Sequence, residues 1–209
     1  MRKPETGSVS FDIAAREAHV VGSGPRIQPL AEDEIDQSCW EIVNRIRQTI
    51  GLGPATSLPP FTRIMARHPA LLASQMQMGT TIFGGQIPAR ERELAVLRIA
   101  WLCRASYEWG EHVDIGERYG VTPEEIERTI QGSSAPGWSE HDAAILLAVE
   151  ELLADYALSD TTFATLSRTW SEAQMIEFLM MAGQYVATAF VVNSLRAPLD
   201  EGNTGLSRR

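Results

Sequence analysis

The sequence predicts an all-α fold, a single-domain helical bundle, and three observations carry that prediction. Apolar residues recur at helical spacing through most of the chain from Leu30 onward. The segments that carry them open on Ser, Thr or Pro and mostly close on Gly. No run alternates strictly between apolar and polar residues inside hairpin turns, so no strand is expected. About seven or eight helices joined by short turns follow from this punctuation.

Residues 1–29 are rich in Gly, Ser and Pro around one weakly amphipathic piece, "FDIAAREAHVV". They read as a flexible arm, suited to packing on a neighbouring subunit. Residues 30–209 form the helical domain. "EDEIDQSCWEIVNRIRQTI" puts Ile35, Cys39, Ile42, Val43, Ile46 and Ile50 on one face and stops at Gly51 and Gly53. "HPALLASQMQMGTTIFGG" is a second helix with a Gly-Gly stop, and His68 before Pro69 reads as its terminus residue. "IPARERELAVLRIAWLC" has Pro88 near its start, where a missing N–H costs little. "SYEWGEHVDIGERYG" takes Ser106 as N-cap and Gly120 as stop. "TPEEIERTIQG" carries a capping box of Thr122 and Glu125 with Pro123 in its first turn. "SEHDAAILLAVEELLADY" opens on Ser139, and His141 in its first turn is expected to be exposed. "SDTTFATLSRTW" is a short helix. "SEAQMIEFLMMAGQYVATAFVVNSLR" opens on a Ser171–Gln174 capping box.

Residues 175–192 are barely long enough to span a bilayer and carry Glu177, Gly183 and Gln184, so a buried core helix is the expectation rather than a membrane span. This last segment echoes the one around Glu93. Both run from a polar cap and an early Glu (Glu93, Glu177) through an apolar stretch to His112 or Asn193, a pattern that a duplication would explain.

Composition narrows the function. The chain has 209 residues, 44% apolar and 22% charged, with a net charge of −9 and no basic block, which argues against nucleic acid as a partner. Lys3 in the arm is the only lysine, which removes Schiff-base chemistry. Cys39 and Cys103 form no C-x-x-C, and no apolar leader follows Arg2 and Lys3, so a cytoplasmic, reducing setting is expected. There is no glycine-rich phosphate loop, no H-E-x-x-H and no zinc spacing, so neither a nucleotide nor a tightly bound metal is indicated.

The candidate chemistry gathers in "ELAVLRIAWLCRASYEWGEH". Glu108 and His112 lie four residues apart and share a helical face, so the carboxylate can orient the imidazole. A solvated surface pair or a structural histidine would give the same spacing. Glu108 also falls in a first helical turn, which favours an anion. Glu93 either pairs with Arg90 at the surface or faces inward. A Glu93–His112 contact needs the chain to fold back through a short turn. Cys103 lies beside Arg104 near a helix start, where a thiol can be activated, although a small buried residue is the commoner role. Tyr107, Trp101, Trp109 and Tyr185 supply aromatic walls if a pocket exists. The set Glu93, Glu108 and His112 would need further context to hold a metal.

The stretch "RERELAVLRIAWLCRASYEWGEHVDIGERYGVTPEEI" resembles the signature of the carboxymuconolactone decarboxylase-like superfamily, which includes the alkylhydroperoxidases. The close "GQYVATAFVVNSLRAPLDEG" is similar to the ending of its longer members, and the resemblance spans about residues 26–202. It implies an all-helical fold, a small-molecule substrate, and a homo-oligomer (dimer, trimer or hexamer). The peroxidase branch carries C-x-x-C-x-x-x-H with a glutamate twelve residues before the first cysteine. Aligned on His112, the cysteines fall on Ala105 and Glu108, the glutamate on Glu93, and a histidine of some members on Tyr107. Cys103 lies two residues before the first cysteine position, so the dithiol cycle lacks its resolving thiol. The decarboxylase branch also lacks the cysteines and works without a cofactor. Three functions follow: a cofactor-free acid–base enzyme on a small organic acid or lactone, a peroxide-reducing protein using Cys103, or a non-catalytic oligomeric ligand-binding protein. The first assigns His112 as general acid/base, Glu108 as its partner and Glu93 as a relay.

Overall fold

The computed structural model describes residues 10–49 and 53–209. Among them are ten α-helices and no strand: α1 (Ile13–Val20), α2 (Gln37–Thr49), α3 (Pro60–Met65), α4 (Pro69–Phe83), α5 (Ala89–Leu102), α6 (Ser106–Arg118), α7 (Pro123–Gln131), α8 (Glu140–Asp155), α9 (Asp160–Leu166) and α10 (Glu172–Leu195). The all-α class is as the periodicity predicts. Helices α1 and α3 add to the expected number. Ile50, the expected stop at Gly51, and Lys3 lie outside the described residues.

Helix α5 forms the centre of the bundle. Ten of its fourteen residues, Arg92 to Trp101, are buried, because α6, α7, α8 and α10 all pack on it. One face meets Ile145, Ala148 and Val149 of α8 and Phe178 and Met181 of α10. The opposite face meets Trp109 and Val113 of α6 and Ile126 of α7. An element covered on every side reads as apolar all round.

Capping follows the sequence at α7, α8, α9 and α10, where Thr122, Ser139, Ser159 and Ser171 each accept an N–H of the first turn. His68 caps α4, its Nδ1 accepting from Leu71 N–H at 3.3 Å. Ser106 does not cap α6. The cap position is Ala105, and Ser106 is the first helical residue with its hydroxyl buried and unpartnered. The tight α5–α6 turn sets this, with Arg104 in the left-handed region at φ 51°.

The described part of the arm lies on the body. Phe11 packs 5.0 Å from Trp101, Arg16 Nε donates to the Arg104 carbonyl at 3.1 Å, and Glu17 Oε1 accepts from Leu206 N–H at 2.7 Å. Helix α10 differs from a fully buried core helix. Met175, Phe178, Met181, Ala182, Ala189 and Val192 are buried, while Ile176, Leu179, Met180 and Phe190 face outward. It sits at the edge of the bundle and is long and apolar enough, by length and composition, to cross a membrane. The polar residues of the two echoing segments do different work. Glu177 accepts from the N–H groups of Gln86 and Ile87 in the α4–α5 turn, and Asn193 donates to the Cys103 carbonyl.

Candidate active site

The α5–α6 turn folds the chain back, and the antiparallel pair brings Glu93 against His112. Glu93 is completely buried, and its Oε2 lies 2.6 Å from His112 Nδ1. An ionised carboxylate only accepts, so Nδ1 carries the proton and Nε2 is left as the free face of the ring. Nine per cent of the His112 side chain remains exposed, and Nε2 makes no hydrogen bond among the described residues. On the other side, Arg92 Nε donates to Glu93 Oε1 at 2.9 Å. Burial alone would raise Glu93, but the charges of His112 and Arg92 outweigh it and hold the carboxyl below its usual range.

Arg92 itself is buried. Its guanidinium stacks 4.3 Å from the Phe83 ring centre and 5.0 Å from Tyr119. Nη1 reaches the Phe83 carbonyl, while Nη2 has no acceptor. Arg90, the surface partner considered for Glu93, instead pairs with Asp142 and Glu125.

Glu108 is not the partner of His112. It is buried, both of its oxygens lack hydrogen-bond partners, and burial pushes it well above the usual carboxylate range. The expectation of an anion at this helix start therefore fails. One helix terminus contributes well under the cost of stripping water from a carboxylate, so burial favours the protonated form of Glu108.

Cys103 closes α5. Burial pushes its thiol up to about 12, the reverse of the activation its place beside Arg104 suggested. Arg104 points away and stacks over Phe11. Cys103 and Cys39 are both free thiols, and Cys39 is buried in the separate cluster around α2. Tyr107 turns from His112 and donates to Asp200 Oδ2 at 3.1 Å. His141, expected to be exposed, is half-buried between Glu91 and Trp170.

Tyr185 of α10 completes the cluster. Its ring stands edge-on to His112 at 5.0 Å. Burial first, then the charge of Glu93, drives its phenol far up. The sequence names Tyr185 as an aromatic wall but gives no sign of this placement, because Tyr185 lies 73 residues from His112 in the chain. Arg92 was missed because adjacent helix positions diverge by about 100°; only its long stem lets it curl back to Glu93.

A cavity of about 650 Å³ opens between α8 and α10, lined by Leu102, Cys103, Leu153, Tyr156, Val186 and Phe190 among others. It reaches Cys103 but not Glu93, Glu108 or His112. Among the described residues, no group of three or more His, Cys, Asp or Glu side chains is placed to hold a metal.

The sequence profile of the Carboxymuconolactone decarboxylase family matches residues 69–151, the segment from α4 through most of α8. Three solved structures share the fold at low identity. The debrominase Bmp8 is 17% identical, with a TM-score of 0.66 over 83% of this chain and 91% of its own. A peroxidase-related protein from Ralstonia eutropha JMP134, described as an alkylhydroperoxidase AhpD core, is 14% identical, with a TM-score of 0.65 over 84% and 94%. A peroxidase-related protein from Silicibacter sp. TM1040 is 16% identical, with a TM-score of 0.64 over 97% of both chains. No curated protein matches the sequence. The matched segment carries the buried Glu93–His112 contact and contains no C-x-x-C. The chain thus carries a segment similar to the Carboxymuconolactone decarboxylase family within a fold shared with AhpD-like proteins, and it lacks the C-x-x-C pair.

Proposed function

We propose that this protein is a cofactor-free acid–base enzyme, of decarboxylase or isomerase type, acting on a small organic acid or lactone. One observation carries the reading: the buried 2.6 Å contact of Glu93 with His112 Nδ1, which fixes the tautomer and leaves Nε2 to exchange a proton with carbon. His112 is the general acid/base and Glu93 its orienting carboxylate. Arg92, held by Glu93, presents Nη2 as a donor without an acceptor, suited to a substrate carboxylate. In a decarboxylation the bond to the carboxylate breaks, CO2 leaves, and its electron pair enters a conjugated carbonyl to give an enolate. His112 Nε2, which first takes up a proton from solvent, then delivers that proton to carbon. A variant of the debrominase Bmp8 has been captured with 2,3,4-tribromopyrrole, which supports a small planar compound as the ligand of this fold. The outward apolar residues of α10 support self-association, and the free thiols fit a cytoplasmic protein.

The test is deuterium incorporation from D2O, followed by NMR, into a panel of carboxylated lactones and enolisable acids. The wild type exchanges or decarboxylates at least one of them. His112→Ala lowers that rate about 100-fold or more, the usual worth of a general acid/base. A rate unchanged in His112→Ala overturns the proposal.

A second reading, a non-catalytic ligand-binding protein, is favoured by one feature: the 650 Å³ cavity is apolar and lies apart from Glu93 and His112. Ligand bound there with no turnover in the panel would support it. The peroxidase reading loses ground to the raised Cys103 thiol and the lack of a nearby second cysteine.

A further inference from the structure

Two acids beside His112 take no part in its pairing with Glu93. Glu108 stands one turn earlier on α6, so its side chain leaves the helix on the His112 side. It is shut off from water with no partner for either oxygen. Tyr185 reaches the same place from α10, edge-on to the imidazole, and its hydroxyl makes no hydrogen bond among the described residues. Glu108 lies close enough to Tyr185 that its charge would oppose that of the phenolate. A buried polar group without a partner is costly to keep. Glu108 is such a group, beside a base and a partly buried phenol, while the other buried carboxyls among the described residues are paired, among them Glu150 with Arg98 and Ser133 and Glu151 with Ser159 and Thr162.

We propose that Glu108 and Tyr185 are a pair of neutral hydrogen-bond donors that hold an oxyanion next to His112. The pairing deepens the acid–base reading and rests on it. It names the substrate class: a carbonyl compound whose reaction passes through an enolate or dienolate. When His112 Nε2 removes a proton from the carbon beside the carbonyl, the C–H electron pair moves into the carbonyl and the oxygen becomes negative. Two neutral acids stabilise that oxygen without repelling it, whereas a carboxylate would repel it. The charges nearby are Glu93, Arg92 and His112. The first two cancel, and His112 becomes positive as the oxyanion forms. Cys103 and Tyr107 stay neutral beside them.

The test uses 4-nitrophenol, a stable planar oxyanion whose phenolate absorbs apart from its phenol. The wild type is expected to bind the phenolate, with a red or blue shift of its band. Tyr185→Phe and Glu108→Leu each weaken binding about 10- to 100-fold, the loss expected for one hydrogen bond to a charged oxygen. Glu108→Gln, which keeps a donor, stays within about threefold of the wild type. Infrared spectra at pH 7 should show the carbonyl stretch of a protonated carboxylic acid, sensitive to D2O and lost in Glu108→Gln. No phenolate binding at millimolar concentration, equal binding in Tyr185→Phe and Glu108→Leu, or no such stretch would overturn the pair. Loss of phenolate binding in those variants, with deuterium exchange intact in His112→Ala, supports the pair and overturns the acid–base reading. Circular dichroism of each variant confirms the fold before the comparison.

Discussion

At the residue scale, the site depends on which carboxyl is charged. Glu93 is held ionised by its contacts with His112 and Arg92, so removing it leaves the buried Arg92 guanidinium without its counter-ion. Glu93→Ala should cost about 3–5 kcal/mol, the usual penalty for breaking a buried ion pair from one side, read by urea denaturation. Glu108 behaves in the opposite sense. Its folded value lies above its unfolded one, so its contribution is fully present below the unfolded value near ~4.3 and is lost as pH rises towards the folded value. Between pH 5 and 8 the wild type should therefore lose stability relative to Glu108→Gln, with the gap closing near pH 4. At about 2–4 °C per kcal/mol for a chain of this size, melting curves resolve it. A wild type and variant that track each other across this range would mean that Glu108 is ionised. Cys103, pushed up to about 12, should react with a disulfide reagent at pH 7.5 about 100-fold more slowly in the native protein than in denaturant. It should also give no sulfenic-acid adduct with peroxide.

At the element scale, turns and backbone approaches place the side chains. The C-terminal tail lies over α6 because Gly110 has no side chain: a Cβ there would fall 1.7 Å from Asn203 Oδ1. Asn203 donates to the Tyr107 carbonyl and to Glu111, and Trp109 Nε1 donates to the Arg208 carbonyl. Gly110→Ala should lift the tail, seen as faster amide exchange at residues 203–208 and a loss of about 1–3 kcal/mol. Unchanged exchange would show that the tail is held elsewhere. The helices were legible because caps and periodicity are local signals: Thr122, Ser139 and Ser171 sit where their hydroxyls are needed. The α6 cap was not, because the left-handed Arg104 is imposed by packing of α5 on α6. The site was half legible. Glu93 and His112 could be named from their spacing, but their distance depends on a turn. The exchange of roles between Glu93 and Glu108 depends on burial, which α10 and the tail supply from over seventy residues away.

At the scale of the whole molecule, α10 faces two ways. Its inner face fills the core, and Ile176, Leu179, Met180 and Phe190 extend an apolar surface next to the Cys103 cavity. Light scattering should give a mass above that of one chain at micromolar concentration, and Ile176→Glu with Phe190→Glu should shift it towards one chain while leaving helicity unchanged. A monomeric wild type would contradict self-association.

The most direct measurement of the central claim is a double-mutant cycle on deuterium exchange, using the substrate found in the panel, with Glu93→Gln, His112→Ala and the pair. If Glu93 works only through His112, the double variant is no slower than His112→Ala alone, because residues that act as a unit are not additive. Losses that multiply, or exchange that survives in His112→Ala, would contradict it.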